Sequence, residues 1–189
     1  MSISSATVAS NALGFLGEQP ILTLLDESVR ARLVNGHFAI LRDAILADHL
    51  WNFAKRRVVL VAESVAAPVF DYAYTFALPT DYLKMVKFNP QWADYEIQGN
   101  TLVTSAQEAM ISYIARIVDL NAWHPIAVLA FEYKLAAALS PVLKSDYKLA
   151  GTMEEMYETW IRKAKIADAQ DERSKEVLSD DLIDARRVN

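Results

Sequence analysis

Three histidines, His37, His49 and His124, are the only imidazoles in a 189-residue chain that has no cysteine. Zinc sites built from histidine place two ligands one helical turn apart, and no such His-x-x-x-His spacing occurs. His37 and His49 are twelve residues apart on one predicted helix, ~18 Å along its axis at helical rise, too far to share an ion. No metal or cofactor is therefore expected, and the histidines read as surface or partly buried groups. The missing thiols exclude a disulfide framework, thiol catalysis and Cys-ligated zinc. The five glycines are dispersed, and Gly14 and Gly17 flank a helix end instead of a strand-to-helix turn, so no phosphate loop forms. No Gly-x-Ser-x-Gly elbow and no Ser-x-x-Lys with supporting context is found. Carboxylate pairs are harder to dismiss. Glu63 with Asp71, or Asp81 with Asp94, could flank a glycosidic bond as acid and base, though Asp71 and Asp81 serve equally well as turn caps. Tyr72, Tyr74, Tyr82 and Trp92 could stack on bases or sugars, or simply pack a strand face.

The elements that must carry these residues are legible in the pattern. Helix one starts near Ser4 or Ser5, either able to cap free N–H groups. It carries Val8, Ala12, Phe15 and Leu16 as a stripe and ends at Gly17 before Pro20. Asp26 reads as the N-cap of a second helix running to about Asp48, with Val34, Phe38, Leu41 and Ile45 on one face. From Arg57 to about Val118 the period becomes that of strands. These are Val58–Val61, an alternating Tyr72–Ala77, Leu83–Phe88, a Tyr95–Gln98/Thr101–Thr104 hairpin turning at Gly99-Asn100, and a strand over Met110–Val118. A third helix starts at His124-Pro125 and is apolar on nearly every face, which marks a buried helix more than a membrane span, since Glu132 and Lys134 interrupt the run. Pro141 is expected to kink or end it. A fourth carries Leu149, Met153, Met156, Trp160, Ala164 and Ala167 as its stripe.

The expected fold is mainly α: an antiparallel bundle of about four helices (residues 1–56 and 119–170), a small antiparallel β-rich insertion (57–118) and an extended C-terminal tail (171–189). One domain of this size buries on the order of 70% of its unfolded surface and needs no staple. The tail is strongly charged yet holds Val177, Leu178, Leu182 and Ile183, so it either folds against a partner or frays or docks on its own domain. Between the layers lies His49-Leu50-Trp51-Asn52-Phe53-Ala54-Lys55-Arg56-Arg57. Trp51 and Phe53 can bury much apolar area there, while the three cations cannot enter a core unpaired. That stretch reads as a packed hinge followed by a solvated or interface-facing strand start. Net charge is −5, and Lys55-Arg56-Arg57 is the only run of three cations, so no basic face for tight DNA binding stands out. Met1-Ser-Ile-Ser-Ser is not the start of a signal peptide.

Read in order, several landmarks resemble one family. Leu13-Gly14-Phe15-Leu16-Gly17-Glu18-Gln19-Pro20-Ile21, Trp51-Asn52-Phe53-Ala54 with Arg56-Arg57, Tyr72-Ala73-Tyr74, Leu78-Pro79-Thr80-Asp81-Tyr82-Leu83-Lys84, Tyr95–Gly99 and Asp119…Trp123 are similar to motifs of the tail tubular protein A-like head-to-tail adaptors of short-tailed bacteriophages. The likeness runs to about Ala169. It departs at Leu50, where many relatives have proline, and at Tyr82, where many have cysteine. The resemblance implies a non-enzymatic virion protein of the head–tail junction, present in the host cytoplasm during assembly. It implies a ring of twelve that binds the portal protein, supports a tail nozzle or tail fibre protein and continues the channel through which genome DNA passes unbound, with no membrane partner. It gives Val177, Leu178, Leu182, Ile183, Arg186 and Arg187 a portal-facing role and makes Lys55, Arg56 and Arg57 candidates for subunit contacts beside the structural Trp51 and Phe53. Two other readings stand beside it: a virion-carried peptidoglycan hydrolase using a carboxylate pair, and a helical protein with an unrelated partner.

Overall fold

A computed structural model of the chain describes residues 3–62 and 72–171. Helix α1 (Ser5–Phe15) is capped by the Ser4 hydroxyl, which accepts from the Thr7 N–H, and it ends where Gly17 takes a left-handed φ of 67°. Helix α2 (Val29–Asp48) is capped by Ser28 and not by Asp26. The Asp26 carboxylate instead accepts from the Leu22 N–H at 2.9 Å and the Thr23 hydroxyl at 2.8 Å, and these bonds hold its carboxyl below the usual range. Two loop donors thus outcompete the helix end for the same side chain.

Strand β1 (Lys55–Leu60) follows a single 3-10 turn at Asn52–Ala54. Then come β2 (Tyr74–Ala77), β3 (Tyr82–Asn89), β4 (Tyr95–Gln98), β5 (Thr101–Thr104) and β6 (Ala109–Ala115). They form two three-stranded antiparallel sheets, β1-β6-β3 and β2-β5-β4, linked by a bridge between Ala62 and Phe76. The β4–β5 hairpin turns at Gly99-Asn100 with Gly99 at φ 63°, as its sequence demands.

Helix α3 (Pro125–Lys144) is wrapped by α1, α2 and α4 (Tyr147–Asp171). It is long and apolar enough to cross a membrane, but half of its most apolar window is buried inside the molecule, and Ala127, Phe131, Leu135 and Leu139 are the centre of the core. Pro141 neither ends nor replaces it. The helix continues to Lys144, where the Ser145 N–H donates to the Pro141 carbonyl at 3.2 Å. Only the last turn forfeits a backbone bond, and Leu139 and Leu143 pack on the core on either side.

The expectation of a mainly α bundle with a small insertion is overturned. Of the described residues, 51% are helical and 21% are strand, in a mixed α/β fold of four helices and two sheets. Phe76, Phe88, Leu102 and Ile111 from the sheets join Val34, Trp51, Phe131 and Ile161 from the helical part in one continuous core. Alternation identifies strands one at a time. It does not reveal that β1 pairs with β6, some fifty residues later, while β3 joins the far side of β6 and β2, β4 and β5 form a second sheet.

Candidate functional site

The junction between helices and sheets is built on Asp168, a carboxylate near the end of α4 that is only 4% exposed. Its Oδ1 accepts the Asn52 backbone N–H at 2.8 Å, and its carbonyl accepts the Asn52 side-chain amide at 2.6 Å. Its Oδ2 lies 3.4 Å from His49 Nε2. The chain between α2 and β1 is thereby latched to the last turns of α4. Lys165 adds a second tie, donating to Asp48 at 2.6 Å.

Beneath the latch runs a continuous file of rings. His49 meets Trp51 edge-on at 4.7 Å between centroids, Trp51 meets Phe53 at 5.4 Å, and Phe53 meets Trp123 at 5.5 Å. Trp123 stacks on Phe131 at 5.8 Å, and Phe131 meets Phe38 at 4.9 Å. Both indole N–H groups are satisfied by backbone carbonyls six residues earlier, Ile45 for Trp51 and Ile117 for Trp123. Each aromatic keeps its polar tip paired while its body is buried. Trp51, 0% exposed, and the half-buried Phe53 are therefore core anchors, as their types suggest.

The three cations separate. Lys55 Nζ donates to Asn52 Oδ1 at 2.8 Å, reinforcing the junction from below. The Arg56 guanidinium folds back onto the Phe53 and Lys55 carbonyls at 3.2 and 3.0 Å. Arg57 points from the open face of the β1-β6-β3 sheet and lines a groove there with Lys87. A smaller crevice of about 220 Å³ lies between Asn52, Phe53, Trp123, His124, Asp168 and Asp171.

The other groups considered for chemistry are dispersed. His37 Nδ1 contacts the Leu33 carbonyl at 2.8 Å, and His124 caps α3 by accepting from the Ile126 N–H at 3.2 Å. Among the described residues no cluster of three potential metal ligands occurs. Asp81 accepts from the Tyr113 hydroxyl at 3.0 Å, and burial together with that carboxylate pushes the phenol up to about 12. Asp94 is exposed, and its carbonyl accepts from the Thr104 hydroxyl at 2.7 Å. The Asp81 carboxylate is thus engaged by a tyrosine of β6, while Asp94 bonds Thr104 through its main chain. Tyr74 and Tyr82 pack on the core, whereas Trp92 stands 76% exposed. Glu63 and Asp71 lie outside the described residues, as do Val177, Leu178, Leu182, Ile183, Arg186 and Arg187.

Sequence reasoning passed over Asp168. Its signal was present: Tyr157, Ile161, Ala164 and Asp168 are the buried line of α4, and an acid at the end of an apolar stripe asks for a partner. The stripe drawn through Leu149, Met153, Met156, Trp160, Ala164 and Ala167 crosses this line only at Ala164. Glu132 on α3 is a second buried acid, 8% exposed. Asn11 donates to it at 2.7 Å, but burial outweighs that bond and raises its carboxyl above the usual range.

A different kind of surface lies at the far end of the bundle. Glu18 is held by Lys144 at 2.7 Å and Arg30 at 3.4 Å, which ties the α1–α2 loop to the end of α3 and lowers the Glu18 carboxyl. On these tied segments Leu22, Leu25, Val29, Val142 and Tyr147 are all more than half exposed. On the sheet side Val59 and Met110 are exposed as neighbours in register. Other exposed large apolar side chains, among them Ile40, Trp92, Val118 and Ile166, lie elsewhere on the described surface. No protein-family model matches the chain, and no characterised protein matches it in sequence.

Proposed function

We propose that the chain is a structural protein of a short-tailed phage virion, a head-to-tail adaptor that assembles as a ring of twelve beneath the portal. The observation that carries this reading is the pair of exposed apolar surfaces, one at the bundle end around Leu25 and Tyr147, the other on the open sheet face around Val59 and Met110. A closed ring uses head-to-tail contacts, so each subunit must present two different surfaces to its neighbours. The motifs that resemble the adaptor family sit at structural joints. Glu18 bridges loop and bundle, Trp51-Asn52-Phe53 makes the latch, and Asp81 closes the turn before β3. In this reading DNA passes through the ring without being gripped, in keeping with a net charge of −5 and with Lys55 and Arg56 engaged in local bonds.

The subunit is mainly monomeric alone and forms rings on the portal, whose binding offsets the entropic cost of gathering the subunits. Light scattering with and without the cognate portal ring tests this. Twelve subunits added per portal ring is the expected result, and failure to associate at micromolar concentration overturns the reading. The C-terminal segment carries the portal contact, so deleting residues 171–189 abolishes binding while circular dichroism still reports folded helices. Undiminished binding by the truncated chain rejects that role for the tail.

A further inference from the structure

The open face of the β1-β6-β3 sheet has chemistry that the junction does not use. Arg57 of β1 and Lys87 of β3 both register on Ser112 of β6, and one step along, Val59 and Asn89 both register on Met110. These side chains line a groove of about 350 Å³. Nearer the bundle the same face is closed: Ile114 is fully buried, and Lys84 donates to the Ala47 carbonyl of α2 at 3.0 Å. The sheet therefore overhangs the helices and leaves two cations around an apolar floor. Neither Arg57 nor Lys87 has an ion pair among the described residues, and Val59 is 62% exposed.

One segment of the chain has the complementary composition. Residues 176–184, Glu-Val-Leu-Ser-Asp-Asp-Leu-Ile-Asp, hold four carboxylates and four large aliphatics with no cation. Its tether starts in the right place. Helix α4 ends at Asp171, which lines a crevice with Asn52 and Phe53 at the foot of β1. Six extended residues would span ~20 Å from Asp171 to Val177, enough to cover the stretch from Phe53 to Val59, which is five residues of β1 and the end of the 3-10 turn. Reach, charge and apolarity agree.

We propose that residues 176–184 dock in cis on the open face of the β1-β6-β3 sheet, with their carboxylates toward Arg57 and Lys87 and their aliphatic side chains on Val59 and Met110. The docking belongs to the free subunit: the same face and the same segment are those that the proposed ring gives to a neighbour and to the portal, so assembly displaces it. Exposed charge pairs contribute little individually, so the contact is weak and reversible, held by apolar burial and steered by charge.

The cysteine-free sequence allows a single Ser179→Cys nitroxide in the full chain, carrying methyl-labelled methionine. The expected result is selective paramagnetic broadening of the Met110 methyl relative to the reduced label. Arg57→Glu with Lys87→Glu, both on the exposed face, should lower that effect roughly threefold or more. Absence of Met110 broadening, or indifference to the charge reversal, overturns the proposal. Mixing unlabelled nitroxide chain with methyl-labelled cysteine-free chain separates cis from trans, and broadening there would give the groove to a second copy. Broadening from a Val65→Cys label but not from Ser179→Cys would give it to the β1–β2 connection. These labels read the free subunit, whereas the portal-binding experiment reads the assembled one, so failure of either is told apart from failure of the other.

Discussion

Asp168 holds a segment 116 residues earlier in the chain: its carboxylate accepts the Asn52 backbone N–H, its main-chain carbonyl accepts the Asn52 side-chain amide, and His49 lies beside it. Asp168→Ala takes the acceptor from the half-buried Asn52 N–H, a loss of about 1 kcal/mol. Urea denaturation should show that loss, with Asp168→Asn recovering much of it because an acceptor oxygen is kept. Glu132 works in the opposite direction. Burial raises its carboxyl, so between the ordinary carboxylate range and the native value the folded chain holds a proton that the unfolded chain has released. Stability therefore falls as pH rises through that window. Glu132→Gln keeps the oxygen that Asn11 binds, removes this slope and raises stability at neutral pH by about 1 kcal/mol, as melting curves across the acidic range should show. The apolar line of α4 marks Asp168 as a buried acid in need of a partner, but neither Asn52 nor Asn11 can be named from sequence, because each reaches its acid only through tertiary contact.

Among the elements, the end of α3 stores the clearest local strain. Ser145 caps that helix at φ 53°, and it is the only described non-glycine residue with positive φ. A left-handed conformation costs an L side chain about 1–2 kcal/mol, more than the 0.5–1 kcal/mol of backbone freedom that glycine loses on folding, both order-of-magnitude values. Ser145→Gly should therefore stabilise by up to about 1 kcal/mol and raise Tm by roughly 2–4 °C. Differential scanning calorimetry measures it directly, and an unchanged or lowered Tm counts against that strain. Helix starts and stops were largely legible: Ser4, Gly17, His124 and the Gly99-Asn100 turn do locally what their types suggest. Asp26 and Pro141 were not. One was claimed by loop donors, and the other was tolerated one turn from a helix end whose neighbours pack on the core.

The whole molecule joins four helices and two sheets around one core, and among its exposed apolar groups are a set at the bundle end and the Val59–Met110 pair on the sheet. If these are the two sides of a ring contact, charging one should stop assembly without unfolding the subunit. Leu25 and Tyr147 are 84% and 79% exposed, so Leu25→Asp with Tyr147→Asp should change stability by no more than about 0.5 kcal/mol. Ring formation on the portal, followed by negative-stain electron microscopy, should fall sharply in that variant. Normal rings would remove the bundle end from the interface.

What the sequence determined by itself is whatever depends on neighbours along the chain. Helices and strands follow from hydrophobic period, caps and turns from Ser, Pro, Gly and Asn at fixed offsets, and Trp51 and Phe53 as anchors from their size and apolarity. The missing thiols and the dispersed histidines and glycines were likewise plain from the list of residues. Only the tertiary structure decided the pairing of β1 with β6, the division of six strands into two sheets, the aromatic file from His49 to Phe38 and the capture of Asn52 by Asp168. Each of these brings together groups separated in sequence. Their partners are set by which faces can be buried at once, and local spacing carries no record of that.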